Sequence, residues 1–296
     1  LEFNSGCTDP FAENYDENAT IDDGSCSGYP ENGEYLLSFD GVDDYVSFLN
    51  AVIPINGNVS VQVRYYVEEI TSLGNGYANL ITQGNESAAY FIGYESDGQT
   101  RVSHEWSNID SDFIFGEWVM ITIVKDENGT VMYFDDQLMN SSNSIMLPGE
   151  NSLYIGVQYN GYSEYWNGKI DEARVWNIDL SEQEVLSNYN TGLQGNENNL
   201  VGYWKFNAGE GEILYDHSGH SNHGMINGAT WEIDGTLGCT DPYAENYNPD
   251  ANIDDGSCSG YPENGNFSLS FDGNNDYVEI PKSGVLNMEG ISEFTV

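Results

Sequence analysis

Cationic side chains are scarce in this sequence. Seven Lys and Arg stand against 49 Asp and Glu, for a net charge of −42. Phosphate recognition needs clustered Lys and Arg, so nucleic acid is excluded as a partner. The same shortage argues against electrostatic docking on anionic lipid. No apolar run approaches the length of a membrane span, so membrane insertion is not expected. No export signal is visible, but the chain opens on Leu1-Glu2-Phe3 and not on Met. It reads as a piece of something longer, so the missing signal says nothing about localisation. Alanine is sparse while Gly and Asn are abundant, which disfavours helices and suits strands and turns.

What is present is enough for a core. Apolar residues make up 39% and aromatics 13%, with 21 Tyr, 12 Phe and 6 Trp, so this is not a disordered acidic tail. The excess of carboxylates is self-repulsive unless salt or cations screen it. It suits a surface adapted to salty water and equally a set of cages for divalent cations.

The chain repeats itself. Gly6-Cys7-Thr8-Asp9-Pro10-Phe11-Ala12-Glu13-Asn14-Tyr15 returns as Gly238-Cys239-Thr240-Asp241-Pro242-Tyr243-Ala244-Glu245-Asn246-Tyr247. Residues 21–33 return unbroken as 253–265, and Leu37-Ser38-Phe39-Asp40-Gly41 returns as residues 269–273. The reading is one full unit plus the opening of the next. Residues 6–30 and 238–262 form two short cysteine modules. Residues 33–235 form one strand-rich domain, and residues 265–296 copy the start of that domain.

Within the long domain the hydrophobic period is two. Residues 35–39, 59–67 and 118–124 alternate as half-buried strands do. Asp126-Glu127-Asn128-Gly129 before Val131-Met132-Tyr133-Phe134 is a hairpin signal. Ser181 and Glu184 fit a capping box, which predicts one short helix from Ser181 through Leu186. Strands with regular turns and one helix make an all-β sandwich or barrel.

Several stretches resemble the laminin G-like jelly-roll family, a branch of the concanavalin A-like sandwiches. They are residues 37–46, Trp118 to Val124 with residues 131–136, Gly168-Lys169-Ile170-Asp171-Glu172-Ala173-Arg174-Val175-Trp176-Asn177 with residues 180–185, and residues 200–207, 216–224 and 228–231. The fold class this implies is a concanavalin A-like (laminin G-like) jelly-roll β-sandwich with two small disulfide-bonded calcium-loop modules. The modules resemble Gly-Cys-Thr-Asp-Pro…Asp-Asp-Gly-Ser-Cys spacers of large surface proteins in marine Bacteroidetes. That implies an exported, extracellular or cell-surface parent. Family members bind glycans or proteins, or accompany polysaccharide-degrading enzymes.

In such a setting the four cysteines read as disulfides Cys7–Cys26 and Cys239–Cys258. With two Cys per module and no His nearby in sequence, zinc is the poorer reading. Oxygen donors recur at alternate positions inside each pair: Asp16, Asn18, Thr20 and Asp22, then Asp250, Asn252 and Asp254. This is how a tight loop wraps calcium, though each is equally read as a solvated acidic turn. By resemblance, Asp216 and Asn222 form a calcium edge that Asp171 approaches. Asp40 is a further candidate ligand or a turn residue before Gly41. His217, His220 and His223 share one loop and could hold a transition metal, or simply make the loop polar.

Glycan binding needs exposed aromatics beside hydrogen-bonding groups. The Tyr159-Asn160-Gly161-Tyr162-Ser163-Glu164-Tyr165 loop has that composition, as do the loops carrying Tyr77 and Trp106. A Tyr-rich β-protein exposes some Tyr regardless. Trp118, Trp176, Trp204 and Trp231 stand at core-like family positions. Glycosidases on this fold use two carboxylates, usually within Glu-x-Asp-x-Glu, and no such run is present. No Gly-x-Ser-x-Gly, phosphate loop or His-Glu-x-x-His is present either.

The expectation is therefore a non-catalytic, calcium-stabilised binding or adhesion module with a glycan or cell-surface ligand. Its rivals are a carbohydrate-active enzyme, or an accessory domain of one, and a purely structural spacer. In the copied start, Phe267, Leu269, Phe271, Tyr277, Val278 and Ile280 await burial. Two or three strands cannot cover their own apolar face. The expectation is that they add to a sheet edge of a neighbouring copy, giving a strand-exchanged or head-to-tail oligomer.

Overall fold

The computed structural model describes residues 3–69, 76–86, 88–102, 111–143, 149–263 and 268–278. The chain divides into two compact units, Leu1–Thr236 and Leu237–Val296.

The first unit is built on fifteen strands among its described residues, besides the short bridges of its cysteine module. In chain order these are β1 (Tyr35–Asp40), β2 (Tyr45–Phe48), β3 (Val59–Tyr66), β4 (Tyr77–Asn85), β5 (Ala88–Glu95), β6 (Thr100–Val102), β7 (Trp118–Lys125), β8 (Thr130–Phe134), β9 (Gln137–Ser142), β10 (Leu153–Ile155), β11 (Asn167–Trp176), β12 (Leu200–Trp204), β13 (Ile213–Leu214), β14 (Gly224–Asn227) and β15 (Thr230–Ile233). They form two antiparallel sheets. One runs β9-β8-β7-β3-β11-β1-β15, with β12 also paired to β11; the other runs β13-β14-β2-β10-β4-β5-β6. Between them lies a single core with Leu37, Val61, Val63, Tyr65, Leu80, Ile92, Ile121, Ile155, Trp166 and Ile170 fully or almost fully buried. Apolar area taken from water at about 25 cal/mol per Å2 is what holds the sheets face to face.

The β7–β8 hairpin turns where the sequence signals it. Asp126 Oδ1 accepts the Asn128 and Gly129 N–H groups at 2.7 and 2.9 Å. The α-helix, α1, runs Glu182–Asn190, longer at its C-terminal end than the capping signal alone indicates. The capping box is formed in both directions between Ser181 and Glu184, a device worth about 1 kcal/mol.

One sequence expectation is corrected here. The first two polar positions of β3 do not face water. Ser60 and Gln62 are fully buried, because α1 and its flanking loops cover the outer face of the first sheet. Val124, Tyr133, Trp176, Leu180, Val185, Leu193, Leu200 and Tyr203 make a second apolar cluster there. The Ser60 hydroxyl donates to Ile178 O at 2.8 Å, and Gln62 donates to Thr122 Oγ1 at 3.0 Å. Along residues 59–63 alternation survives as polar against apolar with both faces dry, and Ser60 and Gln62 each have a partner.

Each cysteine module is a single loop closed by a disulfide, Cys7–Cys26 in the first unit and Cys239–Cys258 in the second. The first module packs Cys7, Ala12, Cys26 and Tyr29 against Tyr215 of the sandwich. In the second unit the described residues 268–278 form no strand. Leu269, Phe271, Tyr277 and Val278 are all exposed. Phe267 and Ile280 lie outside the described residues.

Candidate ligand-binding face

The loop from Val157 to Trp166 crosses the outer face of the second sheet. Across that face β4, β5 and β6 align Asn79, Gly93 and Arg101 in one row. Gly93 brings no side chain, so a group can lie across the row between its neighbours. Glu164 fills that position. Its Oε2 accepts from Asn79 Nδ2 and Arg101 Nη1, both at 2.6 Å, and its Oε1 accepts from Gln158 at 2.8 Å. Arg101 is held between two rings, 4.0 Å from the Tyr77 centroid and 4.3 Å from that of Phe91. The Arg101–Glu164 pair is mostly shielded from water, where breaking one partner strands the other's charge. Glu164 sits at φ +56°, a left-handed conformation that these contacts hold in place.

The rest of the loop is tied to itself. Asn160 Nδ2 donates to Gln158 Oε1 and Ser163 Oγ, and Asn160 Oδ1 accepts from Tyr162 N–H at 3.1 Å. Gly161 is in the left-handed region and approaches the Tyr154 ring closely. The product is a stiff platform on which Tyr162 stands 72% exposed. Tyr159 and Tyr165 are half-buried beside it. Burial raises the pKa of both phenols; for Tyr165, Tyr45 and Asp43 add to the rise. Of the residues singled out from sequence, Tyr77, Tyr159, Asn160, Tyr162, Glu164 and Tyr165 thus come together on one face. Trp106, with its loop around His104, lies outside the described residues.

Asp40, Asp43 and Asp44 close the β1–β2 turn, and their carboxylate oxygens lie within 4.8 Å of one another. Among the described residues this is the group of three carboxylate, imidazole or thiol side chains close enough to share a cation. Asp40 N–H donates to Asp44 Oδ2 at 2.9 Å, and Asp40 Oδ1 accepts from Val42 N–H at 2.8 Å. Burial pushes the Asp44 carboxyl upward despite its backbone hydrogen bond; Asp40 and Asp43 add to the rise.

The other carboxylates named from sequence sit differently. Asp216 is fully buried, and its oxygens accept from the N–H groups of Tyr203, Ser218 and Asn222. Asn222 donates its side-chain amide to Val201 O at 2.9 Å. Asp171 instead pairs with Arg64 on the outer face of the first sheet, where Arg64 also reaches Asp234. In the modules, Asp16 accepts from Asn18, Asp22 from Gly24 and Asp254 from Gly256, each closing its own turn. Thr20 bonds Asn4, and Asp250 N–H donates to Asn248 Oδ1; Asn252 follows in the same loop. His217, His220 and His223 do not converge. His217 is partly buried with its side chain largely shielded, His220 is exposed, and His223 bonds Asp9 at 2.5 Å.

A second cleft, of about 340 Å3, opens on the outer face of the first sheet, lined in part by Arg64, Trp118, Asp135, Asp171 and Tyr189. Burial is the largest influence on Asp171 and raises its carboxyl to about 7; Arg64 opposes this, while Asp234 and Glu172 reinforce it. Asp135 is raised too, by burial first. Trp118 is half-buried, with the Arg64 guanidinium 4.3 Å above its ring, so it does not occupy the core position that sequence suggested. Sequence reasoning passed over this cleft. The signal available was the rarity of cations, since Arg64 interrupts an otherwise uncharged strand.

Residues 40–186 match the family model described as the concanavalin A-like lectin/glucanases superfamily. Among solved structures, the chain resembles a presumed carbohydrate binding protein from Bacteroides ovatus at 16% identity and a TM-score of 0.55, over 74% of this chain and 67% of that one. It also resembles a heptameric SAP-like pentraxin from Limulus polyphemus, at 13% identity and a TM-score of 0.46, over 68% of this chain and 95% of that one. A Ruminococcus gnavus sialidase carbohydrate-binding module, bound to sialyllactose, aligns over 44% of this chain and 82% of that one at 10% identity and a TM-score of 0.37. At 16% identity the first of these likenesses is one of fold. No curated protein matches the chain.

Proposed function

We propose, from a sandwich that belongs to the concanavalin A-like lectin/glucanases superfamily, that this chain is a non-catalytic module of an exported surface protein that binds carbohydrate on the Tyr159–Tyr165 face. The observation that carries the reading is the platform itself. Tyr162 projects from a loop whose Gln158, Asn160, Ser163 and Glu164 side chains are all hydrogen-bonded, so a sugar ring can stack on it with little ordering cost. Glu164 is spent on holding Arg101 and Asn79, which supports binding over catalysis at this face. A glycan array probed with the wild-type chain and with Tyr162→Ala tests it. Binding that Tyr162→Ala abolishes is the expected result; an array with no binder, or one indifferent to Tyr162→Ala, sinks it.

Calcium belongs to the same reading. Three hard oxygen donors at Asp40, Asp43 and Asp44 suit calcium chemically, and a bound ion would offset their mutual repulsion. At about 100 times its dissociation constant an ion held only by the folded state adds about 2.7 kcal/mol. Melts in chelator and in millimolar calcium should differ by several degrees, and Asp43→Asn should shrink the difference. Superimposable melts remove the ion from the account.

A rival reading has one specific observation in its favour. The outer cleft holds two carboxyls with raised pKa, Asp171 and Asp135, beside Trp118 and Tyr189. Perturbed acids in a cleft are what hydrolases use. Reducing-sugar release that disappears in Asp171→Asn would establish the enzyme reading; no release from a panel of polysaccharides would retire it.

A further inference from the structure

The two cysteine modules carry the same face in two different states. Over residues 6–33 and 238–265 they differ at five positions: Phe11/Tyr243, Asp16/Asn248, Glu17/Pro249, Asn18/Asp250 and Thr20/Asn252. Their internal bonding is the same. Asp9 accepts from Phe11 N–H at 3.0 Å and from the Tyr29 hydroxyl at 2.7 Å; Asp241 accepts from Tyr243 N–H and the Tyr261 hydroxyl, both at 2.9 Å.

In the first module this face is docked on the sandwich edge that carries Tyr215, His217 and His223. Tyr29 stacks on Tyr215 at 5.9 Å and meets His217 and His223 edge-on at 5.5 and 5.0 Å. Phe11 meets Tyr215 and His223 at 6.0 and 5.5 Å. The polar fit is directional. Asp216 N–H donates to His223 Nδ1 at 2.9 Å, so the ring proton stands on Nε2 and points at Asp9 Oδ2, 2.5 Å away. Asp9 and Tyr29 are only 5% exposed as a result. In the second module Tyr243 is 80% exposed and Tyr261 47%.

We infer that the Asp241–Tyr243–Tyr261 face is a docking surface whose partner is a sandwich of this same kind, received at the edge bearing Tyr215, His217 and His223. The acceptor, the phenol and the ring that this edge grips are all present in the second module, already held in the same bonded arrangement. The one change on the face, Phe11 to Tyr243, adds a hydroxyl at a position that is 48% exposed when docked, so it has a route to water. The module is thereby a connector: wherever it meets such an edge, it fixes module to sandwich by a face and not only by a covalent link.

The disulfide and the Asp241 bonds lie within residues 239–261, so an oxidised peptide of residues 237–263 is a fair probe. The receptor is the full chain carrying Asp9→Ala and Tyr29→Ala, which removes the grip of its own first module. The expected result is one peptide bound per chain by calorimetry, with affinity lowered about 10- to 100-fold by Asp241→Ala in the peptide. Loss of binding in a His223→Ala receptor is expected as well. A folded receptor that ignores the peptide, whether or not it takes an oxidised 4–30 peptide, overturns the inference. Should that receptor fail to fold, a second variant decides. Phe11→Tyr, Asp16→Asn, Glu17→Pro, Asn18→Asp and Thr20→Asn give the first module the sequence of the second. The chimera should melt within about 2 °C of wild type; a fall as deep as that of Asp9→Ala overturns the inference equally.

Discussion

Between the first cysteine module and the second, almost everything local is conserved and almost everything about burial is not. In both, Asp9 or Asp241 caps the following turn, Asn14 or Asn246 pins Ser25 or Ser257, and the backbone of Glu13 or Glu245 reaches Ser27 or Ser259. Yet the Tyr that seals the first is buried, and its counterpart is nearly half exposed. Short-range hydrogen bonds and one disulfide therefore suffice for the shape. Burial is an added layer, set by what the face meets, and its energetic weight falls on the docked copy alone.

The sharpest way to break this comparison is Tyr29→Ala against Tyr261→Ala. Removing a buried aromatic costs about 3–5 kcal/mol, while its exposed twin should cost about 1 kcal/mol or less. Chemical denaturation monitored on the Trp emission of the sandwich should show the loss for Tyr29→Ala only. Equal effects would mean that docking adds nothing.

Opening each disulfide comes next. Each spans a sequence separation of 19 residues, worth about 3 kcal/mol in the chain-entropy picture. Cys26→Ser should lower the sandwich transition as its module loosens. Cys258→Ser should leave that transition in place and abolish only the amide-exchange protection of residues 239–258.

Much of this was legible beforehand. Paired cysteines at equal spacing, the Asp126–Gly129 turn, the Ser181–Glu184 cap and period-two strands are signals local in sequence, the widest spanning 19 residues, and all are formed. What sequence did not reveal was who meets whom over long range. Asp171 was expected near Asp216 and is paired with Arg64; His223 was read either as part of a metal-binding cluster or as loop polarity, and it holds Asp9 across 214 positions. Composition identifies a carboxylate, while only topology says whether a guanidinium, a backbone N–H or a ring nitrogen stands opposite. Tyr162 was legible as an exposed aromatic; the row of Asn79, Gly93 and Arg101 that steadies its loop was not, because it takes three strands to assemble.

Acid separates the modules a third way. Burial, aided by Lys205 and opposed by Glu31, lowers the His217 imidazole beneath the docked Tyr29 to about 4. The unfolded chain takes up that proton near 6.5, so stability is whole above pH 6.5 and declines as pH falls toward 4, by about 2–3 kcal/mol. His217→Gln should flatten the stability profile between pH 6.5 and 4; an unchanged slope would assign it to other groups. The smallest contrast is Asp9→Asn against Asp241→Asn. Weakening a buried charge-assisted bond to His223 should cost about 1–2 kcal/mol, against a few tenths for the exposed pair. A double cycle with His223→Ala should recover the coupling at Asp9 and none at Asp241.

The scarce cations have a kinetic consequence. All six described Lys and Arg already have a partner: Arg64 has Asp171, Arg101 Glu164, Lys169 Glu232, Arg174 Glu172, Lys205 Glu31 and Lys125 Gly57 O. The anionic field outside is left with almost no local relief, and it reaches about 8 Å into physiological salt before screening halts it. A neutral polysaccharide crosses that field freely, at a rate insensitive to ionic strength. A sulfated or uronic one approaches uphill, and its association should quicken as salt is added, the reverse of an electrostatically steered encounter. For the carbohydrate ligand proposed above, ionic strength would gate which chains arrive before any contact with Tyr162 is made.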